Sequence, residues 1–179
     1  FEAAAGNTTI TTNASFYDLS IQTLGNSVSA AADLTVNNDF TMTAGNTGNF
    51  SAAAAITVNN DFTMTAGNTG NFSTGTNTVE VTGATNINGG ILEIADSPGI
   101  FDAKDFDANG AFVTFTGNGT LKLGGNAGST PDLGTFDATT NNGTVEYDLD
   151  GNQGVFNATY HHLEIDNSTG TATAASALG

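Results

Sequence analysis

No cysteine, tryptophan or arginine occurs in the 179 residues, which carry only 2 prolines and 2 lysines, Lys104 and Lys122. Without cysteine there is neither a disulfide framework nor a thiolate metal site. Stability must then come from packing and backbone pairing. Eighteen acids against two lysines give a formal net charge of −16. Nothing basic is available to displace phosphate counterions, so nucleic acid is excluded as a partner, and an anionic membrane surface is disfavoured. No apolar run approaches the ~18 residues a membrane span needs, so no membrane insertion is expected. No segment sustains the i, i+3, i+4, i+7 apolar pattern, so helix is not expected either.

The shortage of cations also bears on catalysis. Asp105 and Asp107 stand at i, i+2 and would share one face of a strand, an arrangement that paired-carboxylate glycoside cleavage uses. Only Lys104 and Lys122 are there to stabilise developing charge. The chain reads as non-catalytic, with no required cofactor.

What is abundant is alanine, threonine, asparagine and glycine, including 23 Gly. Thr with Val, Ile and Phe favours strands, and Asn and Gly favour turns. The order is not random. Residues 30–51 and 52–73 form two successive 22-residue units, and 35–51 is letter-for-letter identical to 57–73, an offset of 57 − 35 = 22. A period in the twenties is the mark of a solenoid, whose units bury their faces only against neighbours.

Within a unit, Leu34-Thr35-Val36 alternates, Asn37-Asn38 turns, and Asp39-Phe40-Thr41-Met42-Thr43 alternates again. Residues 44–49 form a Gly/Asn turn, and Phe50 opens a third short strand. Three strands per coil predict an all-β, right-handed, single-stranded parallel β-helix, the handedness following from the crossover preference of parallel strands. In register, Leu34 lies over Ile56, Val36 over Val58, Phe40 over Phe62, Met42 over Met64 and Phe50 over Phe72. About eight coils at about 4.8 Å each make a rod of roughly 40 Å. The same stacking predicts side-chain amide ladders of Asn37 over Asn59 and Asn38 over Asn60.

The pattern continues with drift through Val79-Glu80-Val81, Thr85 to Asn88 and Ile91 to Ile94, where Gly89-Gly90 shortens the turn. A longer echo joins the ends: 13–34 resembles 157–178 at an offset of 157 − 13 = 144. We therefore expect one solenoid domain over 1–179, a piece of a longer array with further copies of the same repeats as neighbours.

The units LTVNNDFTMTAG and ATNINGGILEI, GTLKLGG from Gly119, and GTVEYDLDG followed by TYHHLEIDNSTG resemble repeats of secreted bacterial β-solenoid surface proteins. These are adhesins with filamentous-haemagglutinin-like or autotransporter-passenger-like repeats. The resemblance implies an extracellular, cell-surface location and a structural role as the rod of an adhesin or fibre. Host or surface glycans or proteins are the implied partners. Two alternatives stand beside it: a carbohydrate-binding or carbohydrate-cleaving β-helix, and a filament subunit assembling by end-to-end coil stacking.

Four acids are candidate Ca²⁺ ligands. Asp39 and Asp61 occupy equivalent positions one coil apart, where strand spacing would set their carboxylates about 5 Å from each other. Asp148 and Asp150, in Asp148-Leu149-Asp150-Gly151-Asn152, resemble the opening of a calcium loop with alternate oxygen donors, without its distal glutamate. Against this, aspartate at a turn commonly bonds backbone amides. His161 and His162 are adjacent, and in a strand would point to opposite faces, which rules out joint chelation. The Thr41/Thr43 and Thr63/Thr65 pairs suggest an outward hydroxyl array, but one only two coils long.

Overall fold

The computed structural model describes residues 2–3, 6–96, 98–109, 111–125, 130–137 and 141–174. Every described element is a strand. In chain order they are β1 (Glu2–Ala3), β2 (Thr8–Ile10), β3 (Ala14–Phe16), β4 (Leu19–Thr23) and β5 (Val28–Ala30). β6 (Leu34–Val36), β7 (Phe40–Met42) and β8 (Phe50–Ala52) make one 22-residue unit, and β9 (Ile56–Val58), β10 (Phe62–Met64) and β11 (Asn71–Ser73) make the next. There follow β12 (Thr78–Ile87), β13 (Ile91–Ile94), β14 (Ile100–Asp107), β15 (Phe112–Phe115), β16 (Thr120–Leu123) and β17 (Thr135–Asp137). β18 (Thr144–Tyr147), β19 (Gln153–Val155), β20 (His162–Ile165) and β21 (Ala172–Ala174) complete the set.

All the pairings are parallel, and they build three faces of a β-solenoid of about eight turns, roughly 21 residues apart. The first face runs β3, β6, β9, the start of β12 and of β14, then β16, β18 and β20. The second runs β1, β4, β7, β10 and the far ends of β12 and β14. The third runs β2, β5, β8, β11, β13, β15 and β17. β12 and β14 span the corner between the first two faces as single strands. In their pairing the register shifts between Val81 and Ala84, so the corner is turned inside a strand.

The in-register stacking predicted from the repeats is present. Leu34 pairs with Ile56, Val36 with Val58, Phe40 with Phe62, Met42 with Met64, and Phe50 with Phe72. Alternation explains the core, because every second residue of β6 to β10 is buried.

Two aromatic columns rise through it. Phe40 and Phe62 lie 5.1 Å apart at 10°, and Phe50 and Phe72 lie 5.3 Å apart at 5°. The columns meet edge to face, with Phe62 and Phe72 at 4.8 Å and 80°. Coil spacing imposes the parallel pairs, and the perpendicular contacts add the favourable quadrupole geometry. Thr85 interrupts the second-face column between Phe62 and Phe106, and its buried hydroxyl has no partner. Thr85→Val removes an unsatisfied polar atom at nearly constant shape. We expect it to raise stability by about 1 kcal/mol, read as a higher denaturant midpoint at unchanged slope.

Beyond β16 the coils are irregular. Gln153, buried, donates from Nε2 to the carbonyls of Leu123 (2.7 Å) and Gly125 (2.9 Å). The Phe156 amide donates to Tyr147 Oη, whose hydroxyl contacts Tyr160 Oη at 3.0 Å, and Tyr160 donates back to the Phe156 carbonyl. Burial pushes the Tyr147 phenol above its ordinary range and does the same, more strongly, to Tyr160.

The end-to-end echo is not repeated in position. It aligns Leu163 and Ile165 with Leu19 and Ile21, yet β4 lies on the second face and β20 pairs with β18 on the first. The part of the echo at 175–178 lies outside the described residues.

Candidate functional site

Three features hold the chemistry-bearing side chains. The first is the corner between the first and second faces, where Asp39 and Asp61 stand. Here each aspartate bonds into the following coil. Asp18 Oδ1 accepts from Asn38 Nδ2 (2.8 Å) and the Asp39 amide (3.3 Å). Asp39 Oδ1 accepts from Asn60 Nδ2 (2.7 Å) and the Asp61 amide (3.3 Å). Asp61 Oδ1 accepts from the Ala84 amide at 2.8 Å. The aspartates tie corners together across coils, where the sequence suggested either a cation or each residue's own turn.

Of the two predicted amide ladders, the Asn38–Asn60 rung is present and Asn37 bonds into the preceding coil instead. Asn60 Nδ2 approaches Asn38 Oδ1 at 3.3 Å on the exposed surface, while Asn37 donates to Ser15 Oγ (2.8 Å) and the Phe16 carbonyl (3.0 Å). The threonine pairs are likewise partly turned to the backbone: Thr43 Oγ1 donates to the Ile21 carbonyl and Thr65 Oγ1 to the Met42 carbonyl.

The second feature is a charged row on the first face. Glu80, Asp102, Lys122, Glu146 and Glu164 occupy one register position on successive strands. Lys122 Nζ lies 2.8 Å from Glu146 Oε1, and this hydrogen bond is the main cause of a raised lysine pKa. Asp148 sits beside the row with a buried Oδ1 that has no partner. Burial, then neighbouring carboxylates, raise the Asp102 carboxyl above its ordinary 3.8, with Lys122 opposing. Burial does the same to Asp148.

The row places Asp148 and Asp150 in different roles. Asp150 is exposed, its Oδ1 accepts from Ser168 Oγ (2.5 Å) and the Ser168 amide (3.2 Å), and these bonds lower its pKa. Among the described residues, no three or more of His, Cys, Asp and Glu are placed to hold a metal ion. Of the carbohydrate-cleaving candidates, Asp107 Oδ1 accepts from the Asn109 amide in a local turn. His161 and His162 do not diverge as an extended strand would make them. His162 only begins β20, and the two exposed rings contact each other at 4.5 Å.

The Asp102 shift sets a pH test. Its folded-state pKa lies above its unfolded value, so its contribution to stability is fully present below the unfolded value near 3.8 and is lost as pH rises through the folded value. At neutral pH the ionised side chain therefore opposes folding. We expect Asp102→Asn to melt higher than the parent at pH 7, with the gap closing on acidification towards pH 3.8. A gap that widens on acidification would contradict the shift.

The third feature was not singled out from the sequence. The turn 44–49, and its copy at 66–71, holds a buried ladder on the inside of the corner between the second and third faces. The Thr23 amide donates to Asn46 Oδ1 (2.8 Å), and the Thr23 hydroxyl reaches both Asn46 Oδ1 (2.8 Å) and the Asn26 carbonyl (3.0 Å). Asn46 Nδ2 donates to the Gly48 carbonyl (2.9 Å) and to Asn68 Oδ1 (3.0 Å). Asn68 Oδ1 also accepts from the Gly70 amide at 3.0 Å. There the ladder stops: Asn68 is only 3% exposed and its Nδ2 has no partner.

In the next coil the turn contracts to 88–90, and Gly90 occupies the following rung at φ +76°. A Cβ on Gly90 would stand 2.3 Å from the Gly70 carbonyl oxygen and 2.9 Å from Asn68 Nδ2. The contraction leaves a notch of about 460 Å³, lined by Gly67, Asn68, Thr69 and Phe112 together with 88–91. Phe112, 55% exposed, pairs with Ile91 on the neighbouring third-face strand. The sequence signal was the shortening of AGNTG, residues 66–70, to Gly89-Gly90 in the third copy of the unit.

Compared with known proteins, the chain matches no family model, no curated protein and no solved structure.

Proposed function

We propose that this solenoid is a non-catalytic structural rod, part of a large extracellular adhesin or cell-surface fibre. The observation that carries it is the unbroken first face, paired strand to strand from β3 to β20. Each coil is held to the next by backbone bonds, reinforced between residues 18 and 84 by the Asp18–Asp39–Asp61 corner and within the two repeat units by the aromatic columns. Load applied along the axis is thus shared between parallel bonds at every coil.

The net charge of −16 keeps neighbouring rods apart in solution. The carboxylates at the corner are engaged in tying coils, and the rod works without a bound cation or other cofactor. Its partners are further copies of the repeat array and, through exposed turns, surface glycans or proteins.

Antibodies raised against this chain test the assignment on intact cells of its source. Labelling of unpermeabilised cells is expected, and labelling only after lysis would overturn it. Incubating the purified chain with neutral and acidic polysaccharides is expected to release no reducing ends. Measurable release would favour the carbohydrate-cleaving alternative instead.

A further inference from the structure

The charged row of the first face differs from joint to joint. Between β14 and β16 it sets Asp102 beside Lys122, and between β16 and β18 Lys122 bonds Glu146. Between β18 and β20 it sets Glu146 directly beside Glu164. The Asp166 amide extends that ladder to the Tyr147 carbonyl at 2.9 Å, which brings Asp166 alongside Asp148. Two like-charge pairs therefore face each other across one joint, and like charges opposite each other on paired strands repel. Glu80 and Asp102 are also like charges side by side. Their joint is held by a ladder from Thr78 to Asn86 and by the buried Val79, Val81, Phe101 and Phe106.

β20 has no such packing to offset the repulsion. Val145 and Tyr147 on β18 are fully buried, whereas Leu163 is half-buried and Ile165 is 44% exposed. The segment is tied on either side. Before β20, Tyr160 Oη meets Tyr147 Oη at 3.0 Å. After it, Asp150 holds Ser168, Asn167 Nδ2 donates to the Gly151 carbonyl (2.6 Å), and the Thr171 amide donates to Asn152 Oδ1 (3.2 Å). Residues 161–166 thus form a strap, anchored at both ends and repelled in the middle.

We propose that this strap is a pH-sensitive clasp, which lies against β18 in acid and lifts from it at neutral pH and low ionic strength. It carries His161, His162, Glu164 and Asp166. Glu146 and Asp148 face it from the β18 side, with Lys122, Asp102 and Lys104 on the strands beyond. Burial chiefly, with Glu146 and Asp166, raises the Asp148 carboxyl above its ordinary 3.8, against the pull of Lys122. Its contribution to docking is fully present below 3.8 and is lost as pH rises through the raised value. The histidines gain positive charge on acidification, which acts in the same direction. The bonds from Ser168 lower the Asp150 carboxyl, so that anchor is fully present above 3.8 and the lifted strap stays attached.

Amide hydrogen exchange of the whole chain, expressed as protection relative to the unstructured rate, is the test. In low salt, the Glu164 and Asp166 amides are expected to lose about tenfold in protection between pH 4 and pH 7. Amides of β9, which carries no charge, should hold theirs. Sodium chloride at about 0.5 M should restore most of the loss by screening. Glu164→Gln combined with Asp166→Asn, both at exposed positions, should keep the acid level of protection at pH 7.

The proposal is overturned if protection of these two amides is flat or rises with pH, or if salt leaves the neutral value unchanged. It is also overturned if the double variant keeps the parent's pH dependence, or if β9 loses protection in step with β20. The rod assignment is read by cell labelling and stands or falls separately.

Discussion

Phe62→Ala is expected to cost about 3–5 kcal/mol, the range for deleting a fully buried aromatic side chain. Phe62 is fully buried and touches three rings, Phe40 at 5.1 Å, Phe72 at 4.8 Å and Phe101 at 5.4 Å. Its neighbours are held at coil spacing by the ladders above and below, so they cannot collapse into the cavity. The damage should also be local. In a solenoid, stability is approximately a sum of coil terms and nearest-neighbour interfaces. Hydrogen exchange is the measurement to make. Amides of β7, β10 and the second half of β12 should exchange faster, while those of β18 should change little. Uniform acceleration from end to end would mean that the rod unfolds as one cooperative unit.

Asn46→Ala is expected to cost on the order of 3 kcal/mol, although the residue is polar and sits in a turn. Four hydrogen bonds converge on its carboxamide. Truncation strands the buried Thr23 amide and the Gly48 carbonyl at once, and water has no access to replace the lost group. For a chain of this length, about 3 kcal/mol corresponds to a fall in Tm of roughly 6–12 °C. Asn60→Ala supplies the comparison. Its bonds to Asn38 and Asp39 lie on the exposed surface, so a loss below about 1 kcal/mol is expected. Equal losses for the two variants would mean that burial is not what gives the inner ladder its weight.

These two residues mark how far the sequence was legible. The stacking of Phe62 on Phe40 followed from exact identity at a 22-residue offset, because identical neighbours pack best on their own copies. Period-2 alternation then assigned the inward side, as in β6 and β7. The asparagine pairing of Asn38 with Asn60 was legible, on the exposed surface, but the buried ladder of Asn46 and Asn68 was not. Asn37 and Asn46 both lie in Asn/Gly turns, and nothing in one-dimensional spacing says which turn folds its side chain inward. The deciding feature is three-dimensional: Gly48 and Gly70 sit against the previous coil with no room for a Cβ. That lets the turn tuck Asn46 and Asn68 beneath it.

The sequence placed Asp39 and Asp61 at turns and offered each a cation or a local backbone partner. Their bonds run to the next coil, a distance of 21 to 23 residues that local turn rules do not contain. The notch was hidden for the opposite reason. It is made by what is missing between Ile87 and Ile91: the shortening at Gly89-Gly90 was legible, but the recess it leaves beside the neighbouring coil was not.

The two near-identical units sit between coils that differ from them on both sides, Thr23 beginning the amide ladder and Gly90 closing it. Removing 52–73 would bring Leu34 to Val79, Phe40 to Thr85 and Phe50 to Leu92, and would leave Asn46 under Gly90 as Asn68 now is. Inserting another copy would lengthen the ladder by one rung without touching either boundary. Copy number is thus a free genetic parameter: recombination between the two stretches changes the reach of the molecule in steps of about 4.8 Å. Neither flanking surface has to be rebuilt, and no reading frame is lost.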